Sequence, residues 1–188
     1  MKLTTKIKNI LSKNGLKLKN YLELQKNKEA VLIAVKQNSW ALRFTSKKLQ
    51  NNKEVVLEAV KQNGYALQFA SEELRANKEV ILIAVKKNGN ALKYVSDDLR
   101  NDKEVVMEAV KQNSWALEFA SAELKKDIEL VLIAVKGYSC SLVFASKELK
   151  TNKKVVLEAV KKNGLALQFA SYDLRNDEEL NMLALKNL

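Results

Sequence analysis

The chain has 188 residues, with 33 Lys and Arg against 22 Asp and Glu, a formal charge of +11, one Cys, no Pro and no His. The lack of His removes the commonest general base and nitrogen metal ligand, and the lone Cys140 can build neither an intrachain disulfide nor a thiolate cluster. No run approaches the ~18 apolar residues of a membrane span, while the 47% hydrophobic content is that of a folded protein.

Residues 1–26, MKLTTKIKNILSKNGLKLKNYLELQK, hold seven Lys against Glu23 alone and so carry +6, leaving +5 for the 26 basic and 21 acidic groups that follow. Ile7, Leu11, Asn14-Gly15 and Leu18 fall near the columns of the repeat described next. This stretch is expected to be a degenerate, basic capping repeat, its polar outer face closing the end of a stack. A membrane-surface helix and a nucleic-acid arm are the weaker readings. Scattered lysines interrupt any apolar core that a signal peptide would need, so a cytoplasmic location is the default expectation, although signal-independent secretion would leave no trace.

From Asn27 onward the chain repeats every 25 residues, with copies starting at Asn27, Asn52, Asn77, Asp102, Asp127 and Asn152 and a half copy at Asp177. The opening Asn or Asp is a helix N-cap, followed in the first four copies by Lys-Glu, whose acid suits the positive end of a helix dipole. Val55, Val56, Leu57, Ala59 and Val60 then make a helix A that is apolar around most of its circumference and must be covered on more than one side. A Lys closes it in every copy, and the pairs Asn38-Ser39, Asn63-Gly64, Asn88-Gly89, Asn113-Ser114 and Asn163-Gly164 predict a corner with left-handed backbone geometry. Tyr65 to Ala70 reads as a short helix B, because Ala is a poor strand former. Ser71 and its counterparts cap one more turn, which carries a Leu in every full copy, such as Leu74.

One column alternates: Ile33, Glu58, Ile83, Glu108, Ile133, Glu158, Leu183. The alternation predicts a module of two repeats, 50 residues long, with the position buried in odd repeats and exposed in even ones. The fold class is therefore an all-α solenoid of tandem 25-residue units over residues 27–188, without β-sheet.

Chemistry is scarce. Glu58, Glu108 and Glu158 recur as copies of one column, whereas acid catalysis needs unlike carboxylates in unlike surroundings. No glycine-rich phosphate loop occurs, and no catalytic residue, metal or cofactor is expected. A scaffold would place recognition on its variable columns: Trp40, Tyr65, Asn90, Trp115, Cys140 and Leu165 at the opening of helix B, and Arg43, Gln68, Lys93, Glu118, Val143 and Gln168 three positions on. Trp40, Tyr65, Trp115, Arg43, Lys93 and Glu118 are the candidate partner-binding residues, with the aromatics equally able to lie over the joints between repeats. Lys36, Lys61, Lys86, Lys111, Lys136 and Lys161 form a row along one edge that would attract a phosphate backbone, unless each merely answers its own helix dipole and a nearby Glu. The fifth repeat is irregular, with Tyr138, Cys140, Ser141 and Val143 replacing the usual residues.

The wording VVLEAVKQNGYALQFASEELRANKEV resembles the tandem repeats of the family called Domain of Unknown Function 4116, over Asn27 to about Lys186. The shared pattern is A-V-K-x-N-G-x-A-L-x-F/Y-A-S-x-x-L-R-N-D. The resemblance implies a helical-repeat module, found in bacterial and protist-type proteins in many copies, and brings no activity or catalytic residue with it. The expected role is non-enzymatic: holding another protein on the variable helix B surface, or alternatively binding nucleic acid through the Lys row and the basic N-terminus.

Overall fold

A computed structural model describes residues 3–188; Met1 and Lys2 of the expected cap lie outside the described residues. The chain forms two compact units, Met1–Ser96 and Asp97–Leu188. The first contains α1 (Thr5–Lys13), α2 (Lys28–Gln37), α3 (Lys47–Gln50), α4 (Lys53–Gln62), α5 (Glu72–Arg75) and α6 (Lys78–Lys87). The second contains α7 (Asp97–Arg100), α8 (Lys103–Gln112), α9 (Ile128–Gly137), α10 (Lys147–Lys150), α11 (Lys153–Lys162), α12 (Tyr172–Arg175) and α13 (Glu178–Lys186). In the first unit the long helices pack side by side in chain order, α1 on α2, α2 on α4 and α4 on α6; in the second, α8 on α9, α9 on α11 and α11 on α13. No strand occurs among the described residues. The fold is an all-α repeat solenoid.

Each long helix from α2 onward starts as its cap dictates. Asn27, Asn52 and Asn77 accept from the amides of Ala30, Val55 and Val80, and Asp102, Asp127 and Asp177 from those of Val105, Leu130 and Leu180, all at 3.0 to 3.2 Å. Val55, Val56, Ala59 and Val60 are wholly buried, as are their counterparts in the neighbouring repeats, which is the all-round coverage that an apolar helix demands.

Helix B is a six-residue 3-10 helix in every full repeat, for example Ser39–Phe44 and Gly64–Phe69. With three residues per turn, positions three apart eclipse each other, so Trp40 and Arg43 share one outward face while Ala41 and Leu42 are buried. The following Ser joins its repeat to the one before through the backbone: Ser46, Ser71 and Ser96 donate their amides to the carbonyls of Gln25, Gln50 and Arg75, and Ser121, Ser146 and Ser171 to those of Arg100, Lys125 and Lys150.

Two expectations need correction. The corners are not left-handed: Asn38 and Asn63 are extended, with φ of −153° and −148°, and no residue described has positive φ. Asn63 closes α4 by donating its amide to the Ala59 carbonyl, then opens the next helix by accepting from the Tyr65 amide at 3.0 Å. The glycine is needed for close approach, since a Cβ at Gly64 would lie 2.2 Å from the Ala84 carbonyl oxygen in α6. Likewise, the alternating column is not alternately buried: Ile33, Glu58, Ile83, Glu108, Ile133, Glu158 and Leu183 are all half-buried. The stem of a Glu covers the same apolar ground as an Ile and turns its carboxylate outward, as Glu108 and Glu158 do toward Lys111 and Lys161, each 3.5 Å away.

Candidate partner-binding surface

The N-terminal edge of the long helices is occupied by charge pairing between successive repeats. Lys8 pairs with Glu29 and Lys53 with Glu79, both at 2.6 Å, and Lys28 pairs with Glu54. In the second unit Lys103 meets Asp127 at 2.7 Å and Glu129 at 2.9 Å, and Lys153 meets Asp177 and Glu179 at 2.8 Å. Hydrogen bonds to Asp127 and Glu129 push Lys103 up to about 12. Burial pulls the Asp127 carboxyl up, but the hydrogen bonds from Lys103 and the Leu130 amide outweigh it and hold the group below its ordinary 3.8. The pattern lapses on both sides of one joint: Ile128 stands where Lys is usual and Lys154 where Glu is usual. Sequence reasoning assigned the opening Lys-Glu to its own helix dipole and missed this cross-repeat pairing, whose signal is the recurring separation of 26 residues.

The Lys row lies at the opposite ends of the same helices, and Lys36, Lys61, Lys86, Lys111, Lys136 and Lys161 are all exposed. Lys111 and Lys161 are partly answered by Glu108 and Glu158. Lys36, Lys61 and Lys136 make no ion pair among the described residues. Their edge is tied by other donors: Gln62 reaches the Lys36 carbonyl at 2.6 Å, and Lys162 those of Lys136 and Gly137.

On the helix B side the two tryptophans do both things that the sequence left open. Trp40 sets its ring edge-on to Phe69 of the following repeat, centroids 5.5 Å apart, and Trp115 does the same to Phe144 at 5.2 Å while lying against Tyr138. Each still leaves 43% of its surface to solvent. Tyr65 is half-buried; Arg43, Lys93 and Glu118 are exposed.

What the first unit does assemble is an open groove of about 470 Å³ at the joint of the first two full repeats, lined by Arg43, Lys47, Gln68, Phe69, Glu72 and Arg75 among others. Arg43 and Gln68 belong to a variable column, and Lys47 and Glu72 to another four positions farther on, which runs Lys47, Glu72, Asp97, Ala122, Lys147 and Tyr172. Arg75 belongs to a column that sequence reasoning overlooked, a long polar side chain after the turn Leu. Lys125 and Lys150 in this column reach back to their own helix B, to the Glu118 and Val143 carbonyls, both at 2.7 Å, whereas Arg75 and Arg100 turn toward the acid three residues before them, Glu72 at 3.9 Å and Asp97 at 3.3 Å. Burial lowers the Lys150 ammonium in consequence.

The irregular fifth repeat buries Ser141 completely, with no partner for its hydroxyl, and half-buries the free thiol of Cys140. Among the described residues no cluster of three or more His, Cys, Asp or Glu could hold a metal ion, and no helix is long and apolar enough to cross a membrane.

No curated protein and no solved structure matches the chain. One family does, in tandem, over residues 7–50, 27–75, 77–125, 102–150 and 152–187; three of those matches each span two repeats, starting at the caps Asn27, Asn77 and Asp102, the last one repeat out of register with the others. Since the matches cover nearly the whole chain, it belongs to the family described as Domain of unknown function (DUF4116).

Proposed function

We propose that the chain is a non-catalytic scaffold that holds another protein on its helix B surface. The observation that carries this reading is the groove at Arg43, Lys47, Gln68, Phe69, Glu72 and Arg75, where variable side chains converge beside a half-exposed Trp40 while the packing columns stay committed to the core. Half-exposed aromatics seated against a firm neighbour are the usual anchors of protein interfaces. The test is affinity capture with the full chain, comparing the wild type with Trp40→Ala combined with Trp115→Ala. Loss of the captured protein at unchanged helicity supports the reading, and unchanged recovery removes it.

A second reading is favoured by the exposed ammonium groups of Lys36, Lys61 and Lys136, which are left without acidic partners: the Lys edge binds nucleic acid. The affinity for mixed DNA and RNA would then fall with a salt slope near −0.9 for each phosphate neutralised on duplex DNA. It would also weaken in Lys36→Gln, Lys61→Gln and Lys136→Gln. Binding that ignores salt, or no binding, eliminates it.

A further inference from the structure

We infer that the groove of the first unit takes an acidic segment of a partner protein, with a carboxylate seated among Arg43, Lys47 and Arg75 and an adjoining apolar side chain against Phe69 and Trp40. This inference rests on the scaffold reading above and names the chemistry that the scaffold selects.

The charge balance of the groove is three cations to one acid, Glu72. That acid answers only part of the charge: its carboxylate makes one long contact with the Arg75 guanidinium, at 3.9 Å, from a side chain 92% exposed. Arg75 is the informative residue. Its side chain is two-thirds covered, and its Nε lies buried with no acceptor. The equivalent Lys125 and Lys150 satisfy themselves on carbonyls of their own repeats. Arg75 lines the groove and keeps a third of its side chain open to solvent, and its planar guanidinium is shaped to bind a carboxylate through two N–H groups. Arg43 is steadied at the rim, with its Cζ 6.0 Å from the centroid of the Phe44 ring. Phe69, held edge-on by Trp40, supplies apolar surface beside the cations.

A polymer of phosphates fits this place less well. Along the chain the Arg43 column continues as Gln68, Lys93, Glu118, Val143 and Gln168, and the Lys47 column as Glu72, Asp97, Ala122, Lys147 and Tyr172. The cations therefore make a discrete spot with acidic and apolar residues farther along, suited to one or two carboxylates.

The experiment is a selection of displayed random peptides on the full chain at physiological salt, followed by affinity measurement on a synthetic enriched peptide. The expected peptides place Asp or Glu next to an aromatic or aliphatic residue. Arg43→Glu and Arg75→Gln should each weaken their binding by on the order of tenfold or more, and Lys136→Gln should leave it unchanged. Arg75→Gln keeps the fold testable, because Gln25 and Gln50 occupy the same column in this chain. Enriched peptides that lack acids yet lose binding in Trp40→Ala would overturn the acidic inference and leave the scaffold reading standing. Displacement of the peptide by an equal concentration of single-stranded oligonucleotide would overturn it in favour of nucleic acid. Failure to enrich any peptide would also overturn it, and the capture experiment would then decide the scaffold reading separately.

Discussion

Replacing Gly64 by Ala separates two accounts of why glycine stands at the corner. Gly64 has an ordinary negative φ, so by backbone entropy alone the substitution should stabilise by about 0.4 to 1 kcal/mol. Packing says the reverse. The new Cβ would sit 2.2 Å from the Ala84 carbonyl oxygen and 3.0 Å from its carbon, and backbone atoms can yield only if the helix B that Gly64 opens separates from α6. Overpacking of this kind costs about 1 to 3 kcal/mol, and the 2.7 Å hydrogen bond from the Gly64 amide to Asn88 is strained as well, at about 1 kcal/mol more. The net expectation is a loss of about 1 to 3 kcal/mol once the entropic gain is subtracted. Gly137→Ala is the control: its Cβ would meet the Ser114 hydroxyl at 2.0 Å, a side-chain atom that can rotate aside, so the effect should be near zero or stabilising. Urea unfolding followed by far-UV circular dichroism gives both values. If Gly64→Ala stabilises as much as Gly137→Ala, close approach is not what selects glycine at the corner.

Further expectations follow from the charge pairing and the fifth repeat. Converting Ile128 to Lys and Lys154 to Glu should restore the missing pair, with a favourable coupling of about 0.5 kcal/mol in a double-mutant cycle, as expected for an exposed ion pair; zero or unfavourable coupling would show that this joint does not share the geometry of Lys103 and Glu129. Because Asp127 and Asp177 are held below their ordinary 3.8 by their lysines and backbone amides, they contribute stability above that pH which is lost as pH falls through their lowered values, and Asp127→Asn with Asp177→Asn should flatten the acid limb of a stability titration. Lys103 works in the opposite sense: pushed up to about 12 from 10.5, it contributes fully below 10.5 and loses that contribution as pH rises through 12, so Lys103→Met should flatten the alkaline limb. Ser141→Ala should raise the unfolding free energy by about 1 kcal/mol, since it removes a buried hydroxyl without a partner and restores the Ala of the other repeats; a destabilisation would mean that the hydroxyl is satisfied in solution.

Much of the fold was legible because its determinants are local and recur. An Asn52 that caps, a Val55 to Val60 run that must be covered and a Leu74 that plugs a turn each act within a few residues, and repetition averages out single irregularities such as Tyr138. The reading failed where a residue answers to the next repeat. Asn63-Gly64 has the chemistry of an isolated turn, but the glycine is set by a carbonyl twenty positions on. Lys53 and Glu54 look like one helix answering its own dipole, yet each pairs outward, to Glu79 and Lys28. The groove was half legible: variable columns pointed to Arg43 and Gln68, whereas Arg75 sits in a column, Gln25, Gln50, Arg75, Arg100, Lys125, Lys150, whose members share length and polarity and so carried no signal.

The division between packing and variable columns shows how such a scaffold can vary its recognition without losing its fold. The spacing between neighbouring repeats is set by elements that no variable column supplies, namely the buried Val and Ala of helix A, the Ser amide bond to the preceding repeat and the Lys-to-acid pairs at the far edge. The variable positions lie on the eclipsed outer face of a short 3-10 helix, where Trp40 can become Asn90 and Arg43 can become Glu118 while Ala41, Leu42 and their counterparts remain buried. Changes there alter what a joint holds and hardly alter how the joint is held. The core and edge columns should therefore govern the unfolding midpoint, and Arg43, Lys47 and Glu72 should govern binding. A charge reversal at Arg43 that unfolded the chain would break that division of labour, and with it the reason for looking to the helix B surface for function.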